Sequence, residues 1–160
     1  MMQQPIKTYT VEEARRKLEH YCAYQDRCHK EVREKLKDMR MIPDAIDQII
    51  YKLLQEKYLD EERFARSFAR GKFRTKKWGK SRIIRELKLR EISKYNIDLA
   101  LTEIENEDYH NTFEELALKR LNQLTSEKDK YKKRKKLADY LLYRGWPGDW
   151  VYEKAKELIP

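Results

Sequence analysis

Apolar residues recur along this chain every three or four positions, the spacing of amphipathic helices, in nine separate runs. Each run spans about 12 to 16 residues, or roughly 20 Å of helix. The first is predicted from about Val11 to Tyr24, with Val11, Ala14, Leu18 and Tyr21 on one face. Thr10 and Glu13 stand before it at the spacing of a capping box. The second carries Cys28, Val32, Leu36 and Met39. The third opens at Pro43, a residue favoured in a first helical turn, and shows Ile46, Ile49, Ile50, Leu53 and Leu54. After Tyr58-Leu59 the pattern restarts. Asp60-Glu61-Glu62 place negative charge at the head of a helix carrying Phe64 and Phe68. Runs with Ile83, Ile84 and Leu87, then Ile97, Ala100, Leu101 and Ile104, follow it. A third cycle has Phe113, Leu116, Ala117, Leu121 and Leu124, then Leu137 and Leu141, then Trp150, Val151, Ala155 and Leu158.

The cycles align. Val32, Leu36, Met41 and Ile46 fall on Ile83, Leu87, Ile92 and Ile97 at an offset of 51, and Leu137, Leu141, Trp146 and Val151 lie 54 further along. Ala14, Phe64 and Ala117 mark the equivalent first helix at offsets of 50 and 53. A period near 50 residues with three helices per cycle describes a helical repeat. Three helices bury little by themselves, so neighbouring units must share apolar surface. The reading is an all-α protein, an elongated array of three tandem three-helix repeats: a tail over 1–10, then units over 11–58, 59–108 and 109–160.

Composition agrees. Of 160 residues only four are glycine and four proline, well below the average share of about 12%, which argues against sandwiches, barrels and glycine-rich nucleotide-binding folds. The longest apolar runs are four residues, Tyr21–Tyr24 and Tyr140–Tyr143, where a bilayer span takes roughly 20. The stretch Met1 to Lys7 has no apolar secretory core. Cys22 and Cys28 do not make a disulfide framework. A soluble monomer in a reducing cytoplasm, without membrane contact, is the expectation.

Charge changes the picture most. The net charge is +9, and it is segregated. Between Arg63 and Lys94 thirteen basic residues face two acids, Glu86 and Glu91, for a local charge of +11. A second run, Lys128 to Lys136, carries +6, so the remainder is acidic. Such a field suits a polyanionic partner. The segment Gly71-Lys72-Phe73-Arg74-Thr75-Lys76-Lys77-Trp78-Gly79-Lys80 mixes aromatics with cations and reads as a loop between two helices. It suits phosphate contact and base stacking. Equally, Phe73 and Trp78 would plug the corner between helices while the cations are solvated.

No active site is legible. His20, Cys22, Cys28 and His29 have the wrong spacing for a closed zinc site, and Cys22 falls on an apolar face. Glu103, Glu105, Glu107 and Asp108, beside Tyr109 and His110, end one helix and precede the next, where acids are ordinary cap or linker material. There is no phosphate loop, His-Glu metal motif or serine elbow. The chain is read as a non-enzyme needing no metal and no cofactor.

Two stretches carry a family resemblance. Tyr58-Leu59-Asp60-Glu61-Glu62-Arg63-Phe64-Ala65, followed by Trp78-Gly79-Lys80-Ser81-Arg82-Ile83-Ile84-Arg85-Glu86-Leu87, resembles the middle-repeat signature of the bacterial regulatory protein RecX. Val32 to Leu36 and Ile46 to Ile50 resemble that family's first repeat, and Leu141 to Val151 its third. Lys57 stands where a glycine is usual, Cys28 where a capping serine is frequent, and Arg40-Met41 replaces a Gly-aromatic turn that Gly145-Trp146 keeps. The resemblance implies a protein lying in the groove of the RecA–DNA filament, where it restrains RecA's ATPase, strand exchange and coprotease activities and so modulates recombinational repair and the SOS response. Single- and double-stranded DNA alone would be weaker partners. On that reading Arg70, Lys72, Arg74, Lys76, Lys77, Lys80, Arg82 and Arg85 supply the filament or DNA contact, and Asp60, Phe64, Gly79, Ile84 and Leu87 hold the middle repeat in shape. The rivals are a general DNA- or RNA-binding helical-repeat protein acting without RecA, and a protein-only adaptor.

Overall fold

A computed structural model describes residues 5–160. Residues 1–4 of the expected tail lie outside the described residues, and 5–10 lead without regular structure into the first helix. Among the described residues the secondary structure is helical throughout: α1 Val11–Tyr24, α2 His29–Asp38, α3 Pro43–Gln55, α4 Glu61–Gly71, α5 Lys80–Leu89, α6 Lys94–Leu101, α7 Asn106–Gln123, α8 Lys130–Tyr143 and α9 Gly148–Leu158. None is long and apolar enough to cross a membrane. The closest helix–helix packing falls within α1–α3, within α4–α6 and within α7–α9.

The helix starts follow local chemistry. Thr10 and Glu13 form the capping box, with Glu13 N–H donating to Thr10 Oγ1 at 3.1 Å and Thr10 N–H to Glu13 Oε1 at 3.0 Å. Asp60 Oδ1 accepts from Arg63 N–H at 2.9 Å and caps α4. Ser93 and Asp129 cap α6 and α8 in the same way, and Pro43 opens α3. Cys28 sits at the N-cap of α2 without capping the backbone; its thiol donates to Glu31 Oε1 at 3.2 Å.

The repeat is most visible at the turn after the second helix of each group. Arg40, Glu91 and Gly145 occupy equivalent places, all with positive φ (62°, 61° and 90°). The next N–H then reaches back across the turn: Met41 to Leu36 C=O at 3.0 Å, Ile92 to Leu87 at 3.1 Å and Trp146 to Leu141 at 3.2 Å. This is the Schellman closure, which normally favours glycine. Lys57 repeats it after α3, at φ 61°. A left-handed residue with a Cβ costs about 1–2 kcal/mol, so the chain accepts that strain at three of these four turns and keeps glycine at one.

The aligned apolar positions face inward. Val32, Ile83 and Leu137 are fully buried, as are Leu36, Leu87 and Leu141. Ala14, Phe64 and Ala117 are buried at the matching place on α1, α4 and α7. The face of α1 differs slightly from expectation. Ala14, Leu18 and Cys22, four apart, are buried, while Val11 is exposed and Tyr21 half-buried; on α3, Leu54 is exposed as well.

Two cores result. One gathers Ala14, Leu18, Cys22, Val32, Leu36, Ile49 and Leu53 from α1–α3, joined by Leu59. The other runs continuously through α4–α9, from Phe64 and Leu87 to Phe113, Trp146 and Val151. From the first helical group, among the described residues, only Cys28 enters it. The accessible surface is 10856 Å², against about 8,600 Å² for a compact monomer of this mass. The excess fits an elongated array.

Candidate nucleic-acid interface

The segment read as a loop over 71–80 is mostly helical. Past Gly71 the chain widens into one π-helical turn, Lys72–Lys76, and only Lys77–Gly79 link it to α5. Ala65, Ala69 and Phe73 recur every four residues and are all buried, so the inward face of α4 continues through Phe73. Thr75 Oγ1 donates to Gly71 C=O at 2.7 Å. Lys77 then takes φ 58°, which turns the chain toward α5. Nothing in the apolar spacing signals the π turn, because both helix types would leave these positions inside.

This corner is bolted to the third helical group. Trp146 Nε1 donates to Lys77 C=O at 3.1 Å, Gly79 N–H to Arg144 C=O at 2.7 Å, and Ser81 N–H to Gly145 C=O at 3.2 Å. Lys80 N–H donates to Tyr109 Oη at 2.9 Å. Under it lies an aromatic cluster. Tyr109 stacks on Trp146 at 4.5 Å between ring centroids, and Phe113 and Trp150 lie within 5.4 Å of their partners in it. Burial pushes the Tyr109 hydroxyl above its ordinary pKa.

The eight basic residues singled out from the sequence divide in two. Arg74 and Lys76 on the π turn, Lys77 just after it and Arg85 on α5 are exposed, and their side chains have no ion-pair or hydrogen-bond partner among the described residues. The other four are engaged. Arg70 pairs with Glu103 at 3.2 Å. Lys72 lies over Phe68 and Trp78, 5.5 and 5.3 Å from the ring centroids. Lys80 lies 4.8 Å over Tyr109. The Arg82 guanidinium sits between Trp78 at 4.2 Å and Tyr143 at 4.7 Å, and it donates to Tyr143 C=O at 3.2 Å. Trp78 is therefore half-buried beneath cations, with Phe68 at its edge.

The residues named for structure are placed as follows. Asp60 caps α4, and Phe64 and Leu87 are buried. Gly79 is the N-cap of α5, where a Cβ would overlap the carbonyl oxygen of Gly145. Ile84 is half-buried, with one side on the core and the other on an open groove.

Glu103 has a role that sequence spacing did not reveal. It accepts from Arg66 and from Arg70, each at 3.2 Å, and ties α4 to the end of α6. The Arg66 hydrogen bond, reinforced by Arg70, holds its carboxyl below the usual range. Residues 37 and 33 positions apart come together only because α4 packs on α6. The cysteines and histidines do not converge. Cys22 and Cys28 lie in different cores, and burial pushes both thiols up to about 11.

Two family models match this chain, those of the second and third three-helix domains of RecX, over residues 60–101 and 107–154. The regulatory protein RecX of Clostridium acetobutylicum is 33% identical over 133 residues, covering 81% of this chain and 61% of the relative. That of Clostridium botulinum is 32% identical over 131 residues with the same coverage. The chain thus spans about three-fifths of the length of these relatives. The crystal structure of RecX from Lactobacillus salivarius superposes with a TM-score of 0.76 at 25% identity, over 92% of this chain and 96% of that one.

Proposed function

This chain belongs to the RecX family, and we propose that it is a non-enzymatic regulator that binds the RecA–DNA filament and restrains RecA's ATPase, strand exchange and coprotease activity. The observation that carries this reading is the π-helical corner. Arg74, Lys76 and Lys77 project there with no counter-charge among the described residues, on a backbone locked to the third helical group by Trp146 and Arg144. Cations held in place and left unpaired attract a polyanion without first breaking an internal salt bridge.

In this proposal Arg74, Lys76, Lys77 and Arg85 make the contact, while Arg70, Lys72, Lys80 and Arg82 hold its base and add to the field. The division into units 11–58, 59–108 and 109–160 belongs to the same proposal, as does action as a monomer in the cytoplasm with bare single- or double-stranded DNA as a weaker partner.

The experiment is binding to single-stranded DNA, bare and coated with RecA, with ATPase followed in parallel across a salt series. Preference for the coated strand with falling ATPase is the expected result. Tight binding to bare DNA with untouched ATPase would leave a general nucleic-acid-binding repeat protein.

A further inference from the structure

Helix α5 buries Ile83 and Leu87. On its outer side Ser81, Ile84, Arg85, Lys88 and Leu89 line an open groove of about 470 Å³. Leu89 is 58% exposed. Arg85 and Lys88 have no carboxylate partner among the described residues, because both nearby acids are already used: Glu86 by Arg90 at 2.9 Å and Glu91 by Arg33 of α2. The face therefore offers two apolar side chains interleaved at helical spacing with two uncompensated cations.

The π turn, a few residues upstream, has different chemistry. With Lys77 just after it, it exposes Arg74, Thr75 and Lys76 and buries Phe73. A phosphodiester backbone satisfies that surface fully, but it has nothing to place against Ile84 and Leu89. A helix carrying carboxylates and apolar side chains at alternating three- and four-residue intervals satisfies all four positions on α5.

We infer that the outer face of α5 docks an acidic amphipathic segment of a protein partner, while the π turn takes the phosphates. The inference rests on the filament reading above, so the partner is the protein component of the filament. The basic stretch then touches both components of one nucleoprotein at once.

The test places a photo-crosslinking amino acid at position 89 and, separately, at position 76, in the full chain bound to RecA-coated single-stranded DNA. Position 89 is expected to crosslink to protein, within an acid-rich helical segment, and position 76 to DNA. In parallel, the variant Leu89→Ser is expected to lose about tenfold in affinity for the coated strand, about 1.4 kcal/mol, with bare-DNA affinity unchanged. Crosslinks from position 89 to DNA would overturn the inference, as would equal weakening on bare DNA. No crosslink from position 89 together with unchanged affinity would also overturn it. If the unmodified chain fails to bind the coated strand at all, the filament reading falls and takes this inference with it. If it binds and only the position-89 results fail, the filament reading stands.

Discussion

The N–H of Gly79 donates to the carbonyl of Arg144 at 2.7 Å, so the first turn of α5 is closed by the last turn of α8. Helix starts leave N–H groups unpaired and helix ends leave carbonyls unpaired. Here the two deficits meet, and Ser81 N–H with Gly145 C=O makes the second such bond at 3.2 Å. The approach is close enough that neither glycine tolerates a Cβ, since one on Gly145 would strike the backbone of Arg82. Gly145→Ala is expected to destabilise the chain by about 2–4 kcal/mol, combining left-handed strain with overpacking. Gly79→Ala, without the φ penalty, is expected to cost about 1–3 kcal/mol. Urea unfolding of the two variants checks both the sizes and their order.

Tyr109 spans the same junction. Its hydroxyl is the partner of Lys80 N–H, at the start of α5, and its ring stacks on Trp146. Tyr109→Phe keeps the ring and removes only the acceptor, with an expected destabilisation of about 1–3 kcal/mol. Stability indistinguishable from the parent in chemical denaturation would show that solvent serves that N–H equally well.

Acid should loosen the α4–α6 pair. The Glu103 carboxyl titrates lower in the folded chain, where Arg66 and Arg70 surround it, than in the unfolded one. On acidification the unfolded chain takes up that proton first. The stabilisation is therefore whole above the ordinary carboxylate range and is lost as pH falls through the folded value. Glu103→Gln should reduce stability at neutral pH by about 0.2–1 kcal/mol, the scale of an exposed pair, and flatten the acid limb of a stability–pH profile measured by urea titration.

The first helical group should open separately from the rest. It has its own core, and polar links tie it to the second group: Asp26 with Arg63 at 2.7 Å, Arg33 with Glu91, and Lys30 Nζ donating to Leu89 C=O at 3.0 Å. Exposed pairs contribute little and are screened by salt. Amides of α1–α3 are expected to exchange with deuterium through an opening that α4–α9 do not share, more readily at high salt. Equal protection across all nine helices would mean that Cys28 and these links couple the cores fully.

On bare single-stranded DNA, Lys76→Ala/Lys77→Ala should flatten the plot of log affinity against log salt by about 0.7 for each phosphate that the variant leaves unneutralised. Arg82→Ala should act differently, reducing stability because nothing then packs between Trp78 and Tyr143. Salt series on the two variants, with their unfolding curves, separate DNA binding from structural support.

The helices, their starts and the three-fold recurrence were legible in the chain itself. Apolar spacing, the Thr10–Glu13 capping box and the acidic start at Asp60 are local, and Val32, Ile83 and Leu137 mark the same buried site by position alone. The basic field was legible too, because charge needs no fold to be counted. What only tertiary structure decided is which cations stay free. Glu103 reaches Arg66 and Arg70 from more than 30 residues away, and Tyr143 reaches Arg82 from 61, so no local pattern marks these side chains as engaged. The π turn and the fusion of the second and third groups into one core are of the same kind. The two groups meet at a close backbone approach between Gly79 and Gly145, and residues distant in sequence become neighbours only when helices pack.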